Sequence, residues 1–84
     1  MEEEFKHLHA VFQKLGELHS HLKKFKGQIP PQYPADVKKL LQIWKFQKHF
    51  LKPQLPNQFF EPFKQMETFV SGFYMDFYLN GILR

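Results

Sequence analysis

The sequence predicts an all-α fold: a three-helix up-down-up bundle or a closely related open helical array, closed by homodimerisation. Apolar residues recur at helical spacing in three separate stretches, and prolines fall between those stretches or in their opening turns. No stretch favours the two-residue period of a strand. At 84 residues the chain has room for one core, so residues 1–84 form a single domain. Small domains bury little surface, but here 18% of the residues are aromatic, 11 of them Phe, and each ring can bury on the order of 150–250 Å². With no Cys, a disulfide cannot supply the missing stability, which leaves aromatic packing and self-association.

The first helix is expected over about 3–26. Phe5, Leu8, Phe12, Leu15, His19 and Leu22 follow an alternating three-four spacing, and Val11, Leu18 and Phe25 widen the stripe. Glutamates at its start and lysines at its end suit the helix dipole, and Gly27 suits the position just past the last turn. Residues 27–34 form a stiff connector around Pro30 and Pro31. The second helix is expected over about 34–52, with Pro34 in its first turn and Val37, Leu40, Leu41, Trp44 and Leu51 on its main apolar stripe. Ile43, Phe46 and Phe50 extend that stripe past a half circle, so the helix should be covered on two sides. Pro53 ends it.

A second connector carries Asn57 as a candidate cap and the pair Phe59-Phe60. The third helix is then expected over about 62–79, with Phe63, Met66, Val70, Phe73, Tyr74 and Phe77 on one face. Asn80-Gly81 is a stop signal, leaving Ile82-Leu83-Arg84 as a tail. Gly72 in mid-helix costs about 1 kcal/mol relative to Ala and points to a close helix crossing.

Helix 1 is the longest, about 36 Å at 1.5 Å per residue, against about 27 Å for the other two. Part of its seam should overhang, with Leu15 and Leu22 the positions least satisfied within one chain, and a two-fold dimer is the simplest cover. The candidate interface residues are therefore Phe12, Leu15, His19, Leu22, Trp44, Phe59 and Phe60. Trp44 has a second fate, as the anchor of the core.

No motif commits the chain to catalysis or to a cofactor, and the expectation is that it is not an enzyme. His7 and His9, like His19 and His21, are two residues apart and split across opposite faces of a helix, whereas chelation from one face needs spacings of three or four. Ser20, Thr68 and Ser71 have no histidine at a contact spacing on the same face. His19 sits on the seam and calls for a polar partner. Asp76 lies among aromatic residues and belongs at the polar edge of its helix.

Charge is the positive signal. Residues 29–53 hold five lysines against one acid, Asp36, so helix 2 carries nearly all of the formal net charge of +4. Lys38, Lys45 and Lys52 recur every seven residues on one stripe, with His49 beside them, and these four are the candidate phosphate-contacting residues. Only one Arg, Arg84, is present, which argues against reading bases through bidentate arginine contacts. The acidic start is unlike a signal peptide, and no apolar run reaches the length of a membrane span. The leading expectation is a cytoplasmic protein-interaction or regulatory module, an adaptor, inhibitor or assembly factor docking through aromatic surface on a larger protein. A nucleic-acid-associated factor using the helix 2 stripe is the alternative.

Overall fold

The computed structural model describes residues 2–83 and is all-α, with three helices: α1 (Glu2–Phe25), α2 (Gln32–Leu51) and α3 (Phe60–Leu79). Two short 3-10 turns, Lys52–Gln54 and Asn57–Phe59, fill the second connector. The particle is elongated, 42 × 18 × 18 Å.

α1 is the spine. Its N-terminal half lies beside the end of α2, where Glu4 and His7 meet Phe50 and Leu51, while Leu18 lies beside Leu40 near the start of α2, so the two helices run antiparallel. Against α3 the order is parallel: Phe5 stacks on Phe59, Phe12 meets Phe69, and His19 meets Phe77. The topology is up-down-up. No Cα of α2 comes within 8 Å of a Cα of α3, so these two helices approach each other only through side chains. Trp44, buried to 4% exposure, and Val70 line the space between them.

The α1 seam explains this arrangement. Leu8 and Leu15 are wholly buried, Val11, Leu18 and Phe25 pack on one side of them, and Phe5 and Phe12 pack on the other. Each flank of the stripe serves one neighbouring helix, which is how a single helix can bury apolar side chains against two. The remaining core is Tyr33, Val37, Trp44, Leu51, Phe63, Met66, Val70, Phe77 and Ile82, with no buried charged side chain among the described residues.

Several expectations are corrected by the packing. Leu15 is not an exposed seam residue but one of the most buried side chains, and Leu22 packs against the core. The expected overhang is covered: at 20 residues each, α2 and α3 are only one turn shorter than α1, and aromatic residues of the second connector and of the first turn of α2 cap its two ends. Phe59 stacks on Phe5 with ring centroids 4.5 Å apart, and Tyr33 packs edge-on against Phe25 at 4.9 Å. The α1 basis for homodimerisation is thereby removed.

α2 begins two residues earlier than the sequence pattern suggests. Pro31 adopts helical dihedrals, and Pro34 falls in the first turn, where its missing N–H is not needed. Tyr33 precedes a proline, a position biased against helix. Tertiary contact overrides that bias, because the ring is buried and its hydroxyl donates to the Leu18 carbonyl. α3 also begins earlier, at Phe60; Asn57 opens a 3-10 turn and makes no side-chain cap.

The ends of α1 and α3 differ. Lys26 takes a positive φ of 48° ahead of Gly27 at 89°. At the end of α3, Gly81 has φ 79°, its N–H reaches the Tyr78 carbonyl, and the Ile82 N–H reaches the Phe77 carbonyl at 2.9 Å, a Schellman motif. That motif folds Ile82 back onto Phe77, so the expected tail enters the core: Ile82 is buried and Leu83 packs against it. Arg84 lies outside the described residues.

Burial pushes the Tyr33 phenol up from its usual 10.0 to about 12. Below pH 10 the group is protonated in both folded and unfolded chains. As the pH rises from 10 towards 12 only the unfolded chain ionises, so the stability held by the neutral buried phenol is progressively lost. Tyr33→Phe should cost about 1 kcal/mol at neutral pH through the lost hydrogen bond. Denaturant unfolding followed across that alkaline window should show a shallower loss of stability in the variant than in the wild type.

Candidate functional site

The outer ridge of α2, opposite Val37, Trp44 and Leu51, is the strongest candidate. Helical spacing places Phe46 and Phe50 one turn apart, and they are 76% and 58% exposed. The sequence pattern assigned both to a stripe covered on two sides. They stay uncovered because α1 and α3 both lie on the core side of α2, and no third element crosses its back. Lys38, Lys45, His49 and Lys52 are all exposed, as their stripe requires.

Gln42, Lys45, Phe46, Lys48, His49, Lys52 and Pro53 line an open notch of about 860 Å³. Only α2 and the turn after it contribute to this notch. A surface lined by one helix has no opposing wall to enclose a small molecule, so it suits a partner that brings its own wall. Its lining combines the Phe46 ring with three lysines, Lys45, Lys48 and Lys52. Two of these lysines pair with Glu67 of α3, whose Oε2 lies 3.6 Å from the Lys48 Nζ and 3.9 Å from the Lys52 Nζ. Lys38, Lys45 and His49 are exposed without such an acidic neighbour.

The candidate interface residues named from the sequence do not form one surface. Leu15 and Trp44 are core residues, and Leu22 is packed inside the bundle. Phe12 lies against Phe69 and Phe73, and Phe59 is stacked on Phe5. His19 has the polar partner its seam position calls for: its Nε2 is 2.6 Å from an Asp76 carboxylate oxygen, and its ring packs on Phe73 at 4.7 Å. Asp76 lies at the polar edge of α3, half exposed. Of the seven, Phe60 alone is an exposed side chain. Among the described residues, no three His, Cys, Asp or Glu side chains gather closely enough to hold a metal ion.

No described helix is long and apolar enough to cross a membrane. No family model, curated protein or solved structure matches the chain.

Behind the ridge, the side-chain carbonyl oxygen of Gln47 is buried without a hydrogen-bond partner, beside an 80 Å³ cavity bordered by His7, Phe46, Phe50 and Leu51. An unmatched buried acceptor costs about 1–3 kcal/mol. Gln47→Leu, similar in volume, should stabilise the fold by about 1 kcal/mol, a rise of roughly 4–8 °C in melting temperature for a domain this small. A fall in melting temperature would show that the Gln47 amide contributes more than its carbonyl costs.

Proposed function

We propose that this chain is a non-enzymatic, cytoplasmic protein-interaction module, an adaptor, inhibitor or assembly factor, that docks the α2 ridge onto a larger protein. The observation that carries the reading is the exposure of Phe46 and Phe50 on a helix whose core face is already complete without them. Burying a phenylalanine side chain stabilises by about 1.5–3 kcal/mol, so two adjacent rings left in water can anchor a partner. The surrounding lysines favour a partner whose apolar groove has an acidic rim, because complementary charge speeds encounter while the rings set the lifetime of the complex.

Nucleic-acid association remains the second reading, supported by the exposure of Lys38, Lys45, His49 and Lys52 along one side of α2. Three features weigh against it: Glu67 sits beside Lys48 and Lys52, exposed Phe occupies the centre of the ridge, and the chain has a single Arg. Phosphate binding weakens steeply with salt, whereas apolar docking does not.

Capture from the native cell lysate at two salt concentrations separates the readings. With wild-type bait, a protein partner should stay bound at the higher salt. Phe46→Ser combined with Phe50→Ser should weaken that binding about 100-fold, by loss of two anchors. Lys38→Gln, Lys45→Gln and Lys52→Gln together should slow association about tenfold or less and leave dissociation unchanged. Capture of nucleic acid that is released by salt and lost with the lysine changes would reverse the order.

A further inference from the structure

α2 and α3 each bring Cα atoms within 8 Å of α1, but not of each other. Helices in direct contact have axes about 8–10 Å apart, which on Cα cylinders of about 2.3 Å radius brings some Cα atoms within 8 Å. The three helices therefore stand nearer to three corners of a square than to a triangle, and a furrow runs between α2 and α3. Trp44, Phe63 and Val70 close its floor, each at most 5% exposed. Above them lie two open cavities of about 400 and 260 Å³ that meet at Glu67.

The two walls differ in chemistry. α2 supplies Lys45, Lys48 and Lys52, while α3 supplies Phe60 and Tyr74, 46% and 52% exposed. Tyr78, one turn beyond Tyr74, is 51% exposed, and Lys64 adds a fourth cation at the Phe60 end. Against these four lysines the lining has, among the described residues, one carboxylate. It belongs to Glu67, which reaches across the furrow to Lys48 and Lys52. The other acids of α3 lie elsewhere: Asp76 pairs with His19 of α1, and Glu61 falls about 100° around the helix from Phe60, on the outer arc.

We infer that the furrow is the seat of a fourth helix, an acidic amphipathic helix of a partner protein, which fills the open corner opposite α1. A helix with its side chains is about 10–12 Å across, the width of one corner of such a bundle. Its apolar stripe packs on Phe60, Tyr74 and Tyr78, and carboxylates along one edge of that stripe meet the lysine wall. Glu67 already displays this chemistry, one helix-borne carboxylate shared by two lysines a turn apart. A strand of phosphates is the poorer match, because Glu67 stands in the middle of the lysine wall, and a helix can set a neutral residue opposite it where a continuous run of charges cannot. A second copy does not supply the helix: α1 matches four acids with four lysines, α2 is basic, and α3 has Glu67 and Asp76 engaged within the chain. The furrow does not use Phe46 or Phe50, so this seat and the docking ridge can fail separately.

The test is a titration of the full chain with a fluorescein-labelled probe peptide of about 20 residues, enough to run the roughly 30 Å of α2. The probe carries leucine at its a and d positions and glutamate at e and g, which also keeps it from pairing with itself. Anisotropy should report binding, and Trp44, the chain's single tryptophan, should become harder to quench with acrylamide as the furrow is covered. A probe with lysine in place of glutamate should bind at least about tenfold more weakly. Tyr74→Ser combined with Tyr78→Ser, checked for native helix content by circular dichroism, should weaken binding of the acidic probe about tenfold. Glu67→Gln removes only partly exposed ion pairs from the fold and should tighten binding about threefold. Phe46→Ser combined with Phe50→Ser should leave it unchanged. Failure of the acidic probe to bind overturns the proposal, as does equal binding of the lysine probe. So does unchanged or weaker binding by Glu67→Gln, loss of binding with the Phe46 and Phe50 changes, or displacement of the probe by single-stranded oligothymidylate at about 0.15 M salt.

Discussion

The burial of Leu8 and Leu15 between two helices at once is the constraint on which the rest of the structure depends. Because α1 serves both neighbours, α2 and α3 need not touch through their backbones, and they stay more than 8 Å apart between Cα atoms. The space between them must then be filled by long side chains, which is where Trp44 is used. Polar closure of the same seam follows from the same geometry. Val37, Leu40 and Leu41 bring α2 onto one flank, Phe73 and Phe77 bring α3 onto the other, and His19 is left at the edge, where Asp76 can reach it.

A spine flanked on two sides also dictates what stays exposed. Three helices of similar length cannot cover one another completely, so the outer arcs of α2 and α3 face water whatever residues they carry. Polar residues would satisfy that environment. In this chain the arcs instead carry Phe46 and Phe50 on α2, and Phe69, Met75 and Leu79 on α3. The two arcs differ in charge. Lysines surround the α2 rings, whereas Glu61, Lys64 and Asp76 lie along the exposed side of α3.

The connectors act as structure as much as linkage. Just past the first connector, Tyr33 in the first turn of α2 closes the C-terminal end of α1, and its hydroxyl joins the two helices at Leu18. Phe59 closes the other end by stacking on Phe5. In a domain of this size each such contact covers surface that the helices alone would leave in water.

Three helices, their order, the stop at Asn80-Gly81 and the main core residues were legible in the sequence, because they follow from periodicity and from the backbone chemistry of Gly and Pro, which are local properties. The basic stripe of α2 was legible for the same reason. Local pattern does not say which of two apolar arcs on one helix finds a cover. Phe46 and Phe50 extend the α2 stripe as naturally as Leu41 does, and Leu15 and Leu22 belong to a seam that two chains could share as readily as one. The choice is made by the relative placement of the helices, through contacts between residues dozens of positions apart. The start of α2 shows the same limit, since Tyr33 precedes a proline and turns helical only because its ring finds a buried site against α1. Sequence alone therefore determined an all-α chain with more apolar surface than one small bundle can hide. Tertiary structure decided where the surplus lies, by placing α1 in the middle and leaving the backs of α2 and α3 without a neighbour.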